Sequence, residues 1–229
     1  MMHYHGTPLS PHSELEKLAG KNFCVSYVSG RKIDWILDNA QSVMWDNGAF
    51  SSYTRGLKLD VKGYYEWVDD KLYGSNWGVV PDVIGGSVDE QKELMSSWKF
   101  PDHVSCYVWH MDLPLDWLKE LCNTYPRIAF GSSGEYWKVG SEDWKNRADD
   151  AWELIESTGC RPWVHMMRGL SVCGKRWPFA SADSTNVARN FKNKGKEKCP
   201  KSMAETIDAR QSPLRFRRET LNFGERGYG

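Results

Sequence analysis

The sequence predicts a compact (β/α)8 TIM-type barrel, an α/β fold in which parallel strands alternate with helices. Short apolar runs alternate with amphipathic stretches of 10 to 17 residues, a pattern typical of parallel βαβ units. Seven strand candidates fit a barrel better than an open doubly wound sheet. The chain has 229 residues, which is enough for one barrel-sized core and too few for a second full domain.

Each predicted element has a local reason. The strand candidates are short runs rich in β-branched and aromatic residues; they lie at residues 23–28, 43–45, 78–83, 104–109, 127–130, 162–166 and 178–182. The helix candidates carry apolar residues at helical spacing; they lie at residues 32–39, 61–72, 87–98, 114–123 and 141–157. Ser87 is typical of a helix N-cap, and Pro114 is typical of a first helical turn.

The eighth strand has no comparable signal. It lies either in the opening segment or after Lys201, and the alternative is a barrel that is incomplete or open. We therefore expect residues 1–190 to form the barrel, and residues 191–229 to be a basic C-terminal segment that completes or extends it.

Composition limits the class of function. No apolar run reaches the roughly 18 residues of a membrane span, and the first residues do not resemble a signal peptide, so we expect a soluble, cytoplasmic protein. The six cysteines form no C-x-x-C pair, which favours reduced thiols over disulfides or structural zinc. No Walker or G-x-G-x-x-G loop follows a predicted strand, so the sequence gives no support for a loop that cradles nucleotide phosphates. We expect no metal and no cofactor.

The net charge is zero, but the charges are unevenly distributed. Residues 186–229 hold 11 Lys/Arg against 5 Asp/Glu. Such a segment favours a polyanion through counterion release, while a solvated, partly disordered tail is the alternative. The candidate nucleic-acid contacts are Arg189, Lys192, Lys194 and Lys196.

Acidic and polar residues follow several of the predicted strands. The carboxyl ends of barrel strands converge on one pocket, so Asp46, Asp82 and Asp183 are expected to meet there. His110 and His165 stand at strand ends as well. Together with Asp112 they lack the close spacing of a metal motif, which favours buried histidines satisfied by hydrogen bonds over metal ligands.

Five segments, taken in order, resemble the tRNA-guanine transglycosylase superfamily. They are DNGAFS at residues 46–51, PDV at 81–83, IAFGSSGE at 128–135, RPWVHMM at 161–167, and Asp183. The resemblance spans about residues 43 to 190 and is closest to the DNA-acting branch of phages and bacteria, which inserts 7-deazaguanine bases into DNA. Members of the superfamily are (β/α) barrels that exchange a guanine in a polynucleotide through a covalent glycosyl-enzyme intermediate.

The resemblance implies roles for two aspartates. The family's nucleophile matches Asp183, and its acid/base residue matches Asp46. Cleavage of an N-glycosidic bond builds positive charge on the sugar, which a nearby carboxylate can attack. A carboxyl group whose pKa is raised by burial and by a like charge can protonate the departing guanine.

The resemblance also implies a pocket for the base. The candidate base-binding residues are Asp82, the turn residues Gly131 and Ser132, Met166 as a cover for the flat base, and His110. Asp89, inside a predicted helix, is the alternative to Asp82. Met167 is the alternative to Met166, and ordinary core packing is the alternative for both methionines.

Two departures from the family pattern favour DNA over tRNA as the substrate. The zinc-binding insertion of the tRNA enzymes is missing, and the segment after Asp183 is shorter than theirs. The resemblance then implies two partners, a 7-deazaguanine base and DNA whose target guanine is single-stranded or flipped out of the duplex. A phage-encoded protein would act in the host cytoplasm. The sequence indicates no particular protein partner.

Three other functions stay open at this level. The first is a tRNA-guanine transglycosylase-like enzyme. The second is a small-substrate N-glycosidase or nucleosidase that uses Asp46 and Asp183 as acid and nucleophile, and it predicts no affinity for polynucleotides. The third is a non-catalytic DNA-binding accessory protein in which the aspartates are structural, and it predicts binding without base exchange.

Overall fold

Eight parallel strands pair in chain order and close into a barrel, β8 against β1, in the computed structural model, which describes residues 1–193 and 198–218. This confirms the predicted fold. The strands are β1 (Met2–Gly6), β2 (Asn22–Ser26), β3 (Ser42–Asp46), β4 (Trp77–Val79), β5 (Ser105–His110), β6 (Arg127–Gly131), β7 (Trp163–Met166) and β8 (Ser181–Ser184).

Helices surround the barrel. Those within the described ranges are α1 (His12–Glu16), α2 (Ile33–Asn39), α3 (Ala49–Thr54), α4 (Val61–Val68), α5 (Val88–Ser96), α6 (Leu115–Thr124), α7 (Glu142–Thr158), α8 (Asn186–Asn190) and α9 (Pro200–Asp208). Ser87 caps α5 as expected: its side chain accepts a hydrogen bond from the Glu90 N–H, and the Glu90 carboxylate accepts one from the Ser87 N–H. In the described part of the chain, no helix is long and apolar enough to cross a membrane.

The opening segment supplies the strand that the sequence left unplaced. Tyr4 lies opposite Asn22 of β2 on one side and opposite Asp183 of β8 on the other. β1 carries the buried histidines His3 and His5 where other strands carry apolar residues, so it lacks a hydrophobic run. The barrel is therefore complete.

The described part of the basic C-terminal segment adds a helix to the barrel and no strand. α9 buries Ala204 and Ile207, and its last residue, Asp208, bonds to the barrel. The two Asp208 oxygens lie 3.0 Å from His5 Nε2 and 2.8 Å from Lys21 Nζ. This segment therefore extends the barrel by covering β1.

Side chains along each strand alternate between the barrel interior and the helix layer. An inner cluster consists of Tyr4, Met44, Trp77, Val79, Cys106, Val108 and Ala129. An outer cluster against the helices includes Val43, Trp45, Trp109, Phe130, Val164, Met166 and Ala182. Because this alternation has a period of two, the last residue on the inner side of each strand points into the mouth of the barrel.

Candidate active site

Two adjoining cavities open at the carboxyl ends of the strands. The first has a volume of about 460 Å³, and the second has a volume of about 810 Å³. Asp46, Phe50, Met167 and Arg168 line both cavities and form their common wall. A ligand that extends over this wall would occupy both cavities and pass beside Asp46.

Asp46 ends β3 on the inner side, and Gly48 then turns the chain into α3 with a φ of 80°. Burial raises the pKa of the Asp46 carboxyl to about 6, and the Ser26 hydroxyl opposes this rise. The negative charges of Asp183 and Asp82 raise the pKa further. Asp46 is therefore a carboxyl group that can hold or release a proton near neutral pH.

Asp183 lies on the inner side of β8 and lines the second cavity. Its Oδ1 atom accepts a hydrogen bond from the Arg168 backbone N–H at 2.7 Å and lies 3.2 Å from His165 Nε2. No group in the described ranges donates a hydrogen bond to Oδ2. The carboxylate is thus held by one oxygen, and the other oxygen is available to a ligand.

His165 supports Asp183 from inside the barrel. Its side chain is fully buried, and its Nδ1 atom lies 2.6 Å from the Ser181 hydroxyl. Its ring stacks on Trp163 with 6.1 Å between ring centroids. His165 is thus a core histidine bonded on both nitrogens. Within the residues that the structure describes, no three His, Cys, Asp or Glu side chains are grouped so as to hold a metal ion.

Asp82 and His110 form a pair on the wall of the first cavity. Asp82 Oδ1 accepts a hydrogen bond from Asn47 Nδ2 at 2.7 Å, and Asp82 Oδ2 lies 2.8 Å from His110 Nε2. The Asn47 side-chain oxygen accepts a hydrogen bond from the Ala49 N–H at 2.8 Å, which fixes the orientation of the amide. The other ring nitrogen of His110 is buried and has no partner among the described residues. The wall therefore presents polar groups of fixed orientation.

Gly131 and Ser132 line the first cavity next to His110. A Cβ atom at position 131 would lie 3.0 Å from His110 Nδ1, so glycine leaves room for the imidazole. The Ser132 hydroxyl accepts a hydrogen bond from Trp144 Nε1 at 2.9 Å. The turn after β6 is thereby tied to α7.

Met166 does not reach either cavity. It lies on the outer side of β7, is fully buried against the helix layer, and follows the inward-facing His165. The expectation that Met166 covers a base is therefore wrong, because strand alternation points its side chain away from the mouth. Met167 lines both cavities instead. Asp89 is exposed in the first turn of α5 and lines neither cavity, whereas Asp82 lines the first.

The predicted nucleic-acid contacts are only partly at the mouth. Arg189 is exposed on α8 and lines the second cavity. Lys192 is exposed, and its ammonium group lies 5.2 Å from the centre of the Phe191 ring. Lys194 and Lys196 lie outside the described residues.

Three further residues at the mouth were not singled out from the sequence. The Arg168 guanidinium lies 4.1 Å from the centre of the Phe50 ring, and Trp137 and Lys138 line the first cavity. Arg168 has a φ of 56°, which is uncommon for a residue other than glycine. All three lie in loops two to seven residues beyond a strand, so a wider window after each strand would have included them.

Comparison with protein-family models finds no match to this chain, and a search of curated proteins finds none either. The fold and the site together define a (β/α)8 barrel with two acidic side chains, Asp46 and Asp183, at joined cavities in its mouth. The function has to be inferred from the chemistry of these side chains.

Proposed function

We propose that this protein exchanges guanine in DNA for a 7-deazaguanine base through a covalent aspartyl-glycosyl intermediate. The observation that carries the proposal is the pair of carboxyl groups, Asp46 and Asp183, that line the same cavity from β3 and β8. The Asp183 charge contributes to the raised pKa of Asp46. Exchange with retention needs these two roles, one carboxylate that attacks the sugar and one carboxyl that transfers a proton.

In the first half of the proposed reaction, Asp183 Oδ2 attacks C1′ of the target nucleotide. The bond from C1′ to N9 of guanine breaks, and the proton held by Asp46 goes to the departing base. In the second half, Asp46 takes a proton from the incoming base. The nitrogen of that base then attacks C1′, and the Asp183 carboxylate is released.

The first cavity suits the base. Asp82 supplies acceptor oxygens that match the N–H groups on the guanine edge, and Met167 lies beside the space that a flat ring would fill. Ile84 and Val139 make other parts of the wall apolar. A volume of about 460 Å³ is typical of small-molecule sites and leaves room for a substituent on the base.

Two observations support DNA as the substrate, one against a free nucleoside and one against tRNA. Arg168, Lys138 and Arg189 line the cavities and have no carboxylate partner among the described residues, so their charges are available to phosphates. The sequence resembles the DNA-acting branch more closely than the tRNA enzymes, and this favours deoxyribose.

The test is base exchange in an oligodeoxynucleotide that contains one guanine, with a radiolabelled 7-deazaguanine as the second substrate. We expect incorporation of label by the unchanged protein and none by Asp183→Asn, which keeps the size of the side chain and removes the nucleophile. The Asp183→Asn variant should still bind the oligonucleotide. Asp89→Asn, at an exposed carboxylate outside the cavities, is the matched control and should exchange normally.

Other outcomes would identify a different function. Exchange retained by Asp183→Asn would remove Asp183 from the nucleophile role. Binding of DNA without exchange would favour an accessory protein. Release of the base from a free nucleoside, without affinity for the oligonucleotide, would favour a nucleosidase.

A further inference from the structure

Trp137 is unusually exposed for a tryptophan. The chain has twelve tryptophans, all within the described residues, and Trp137 is the only exposed one, with 69% of its surface accessible. No hydrogen bond or ring contact holds its indole among the described residues. An exposed indole contributes little to the fold, and this one lines the first cavity.

Phe50 is the second exposed aromatic residue at the mouth, with 46% of its surface accessible. It lies on the common wall of the two cavities, where the Arg168 guanidinium covers one face of the ring. Trp137 likewise has a cation beside it in sequence, Lys138. The lining of the first cavity therefore includes two exposed aromatic rings, one with a cation over its face and one with a cation next to it in sequence.

The charges at the mouth are arranged in two layers. The carboxylates of Asp82 and Asp183 are buried and that of Asp46 is half-buried, and they form the floor. The cations Lys138 and Arg168 are exposed, have no carboxylate partner in the described residues, and form the rim. A phosphate is repelled by the floor and attracted by the rim. A nucleotide is therefore favoured with its base inward and its phosphates outward.

We propose that this rim binds a single-stranded stretch of nucleic acid, with the base next to the target stacked on Trp137 and phosphates at Lys138 and Arg168. This inference rests on the proposed function in that the strand is the substrate. Exposed aromatic rings beside cations are the features by which proteins hold single strands. In a duplex the neighbouring bases are already stacked on each other, so duplex DNA cannot use the Trp137 ring in this way.

The experiment measures binding of a fluorescently labelled oligothymidine, which contains no guanine, by anisotropy. We expect Trp137→Ala to weaken binding about tenfold, the effect of losing one stacked base. Tyr73→Ala is the matched control. Tyr73 has 54% of its surface accessible and precedes β4, so it lies at the opposite end of the barrel, and its loss should leave the affinity unchanged.

Salt dependence separates stacking from charge. Lys138→Gln should lower the slope of log Kd against log salt by about 0.7, the value for one phosphate of a single strand. Trp137→Ala should weaken binding at every salt concentration without changing the slope. A duplex of the same length should bind more weakly than the single strand, and Trp137→Ala should not affect it.

The inference is overturned if Trp137→Ala binds oligothymidine as the unchanged protein does, or if Tyr73→Ala weakens binding as much as Trp137→Ala. It is also overturned if Trp137→Ala weakens binding of the duplex as much as binding of the single strand. This test is independent of base exchange, because oligothymidine offers no guanine. A stacking effect without any exchange would leave the rim assignment standing and remove the proposed reaction. Base exchange without a stacking effect would remove the rim assignment and leave the proposed reaction standing.

Discussion

At the scale of single residues, Asp46 links stability to pH. The pKa of this carboxyl is raised by burial, from 3.8 in a solvated chain to about 6 in the folded protein. The folded state therefore binds the proton more tightly than the unfolded state does. The contribution of Asp46 to stability is most favourable below pH 4, and it is lost as the pH rises through about 6.

Asp46→Asn should therefore raise the free energy of unfolding at pH 7 by about 2 kcal/mol, because it removes an ionised carboxylate from a buried site beside two others. At pH 4 the gain should nearly vanish. Urea denaturation at the two pH values measures both. Asp89→Asn should change stability by less than about 0.5 kcal/mol at either pH. A stability gain from Asp46→Asn that is no larger at pH 7 than at pH 4 would contradict the raised pKa.

The contact of His165 with Asp183 predicts that His165 positions this carboxylate in the proposed exchange, and His165→Phe tests the prediction. The phenyl ring can keep the stack on Trp163, but it loses the contacts with Asp183 Oδ1 and with Ser181. The Arg168 N–H still holds Oδ1, so we expect kcat for exchange to fall about 10- to 100-fold while KM for DNA changes little. His165→Gln, which keeps a donor, should restore part of kcat. A loss confined to KM, or no rescue by Gln, would argue for a purely structural role.

The residues of the site differ in how far the sequence could identify them. Asp46 and Asp183 stand beside apolar runs and could be located at strand ends from the pattern alone. The choice between Met166 and Met167 depends on which side of β7 each occupies, and an error of one residue inverts the answer. The contact between His165 and Asp183 depends on the register of β7 against β8, which pairs His165 with Ser181 and is not a local property.

At the scale of elements, the turn after β7 lines both cavities and also holds the Asp183 carboxylate. Arg168 occupies the left-handed region there, and its N–H bonds to the Asp183 carboxylate. Gly169 packs directly against Met166, and a Cβ atom at position 169 would lie 2.8 Å from Met166 Cβ and 2.9 Å from the Met166 carbonyl oxygen. Position 169 has no space for a side chain, so the turn requires a glycine there.

Gly169→Ala should displace the turn and move the Arg168 N–H away from Asp183. We expect a loss of about 2 kcal/mol in the free energy of unfolding, the usual cost of overpacking a core position. Gly85→Ala is the control: Gly85 has a φ of 74° and open space around it, so only backbone strain of about 1 kcal/mol should appear. Chemical denaturation of both variants gives the comparison, and equal losses would show that packing on Met166 is unimportant.

Local patterns predicted most elements but not all. Helices α5 and α7 carry a serine N-cap and an apolar face, and both lie within two residues of the predicted bounds. Strand β8 begins at Ser181, whereas the sequence predicted a start at residue 178. Ser181 and Asp183 are polar residues that face the barrel interior, so an apolar run does not locate this strand. The five-residue helices α1 and α8 are too short for helical periodicity to be detected.

At the scale of the whole molecule, closure of the barrel depends on contacts remote in sequence. β1 pairs with β8, which is about 180 residues away along the chain, and no local pattern encodes this pairing. α9 then covers β1, through the bonds from Asp208 to His5 and Lys21. Burial alone would raise the pKa of Asp208, but the hydrogen bonds from His5 and Lys21 outweigh it and lower the pKa.

Asp208→Ala should loosen α9 from β1 and destabilise the closed barrel. The buried His5 loses its partner, so we expect a loss of about 2 kcal/mol at pH 7, together with faster amide exchange in β1 and β8. The lowered pKa means that Asp208 stabilises the fold above pH 3.8, and that this stabilisation is lost as the pH falls below that value. The unchanged protein and Asp208→Ala should therefore converge in stability toward pH 2. Glu205→Ala, exposed on the same helix, should match the unchanged protein throughout. A similar loss there would assign the effect to removal of any carboxylate from α9 and not to the contacts of Asp208 with His5 and Lys21.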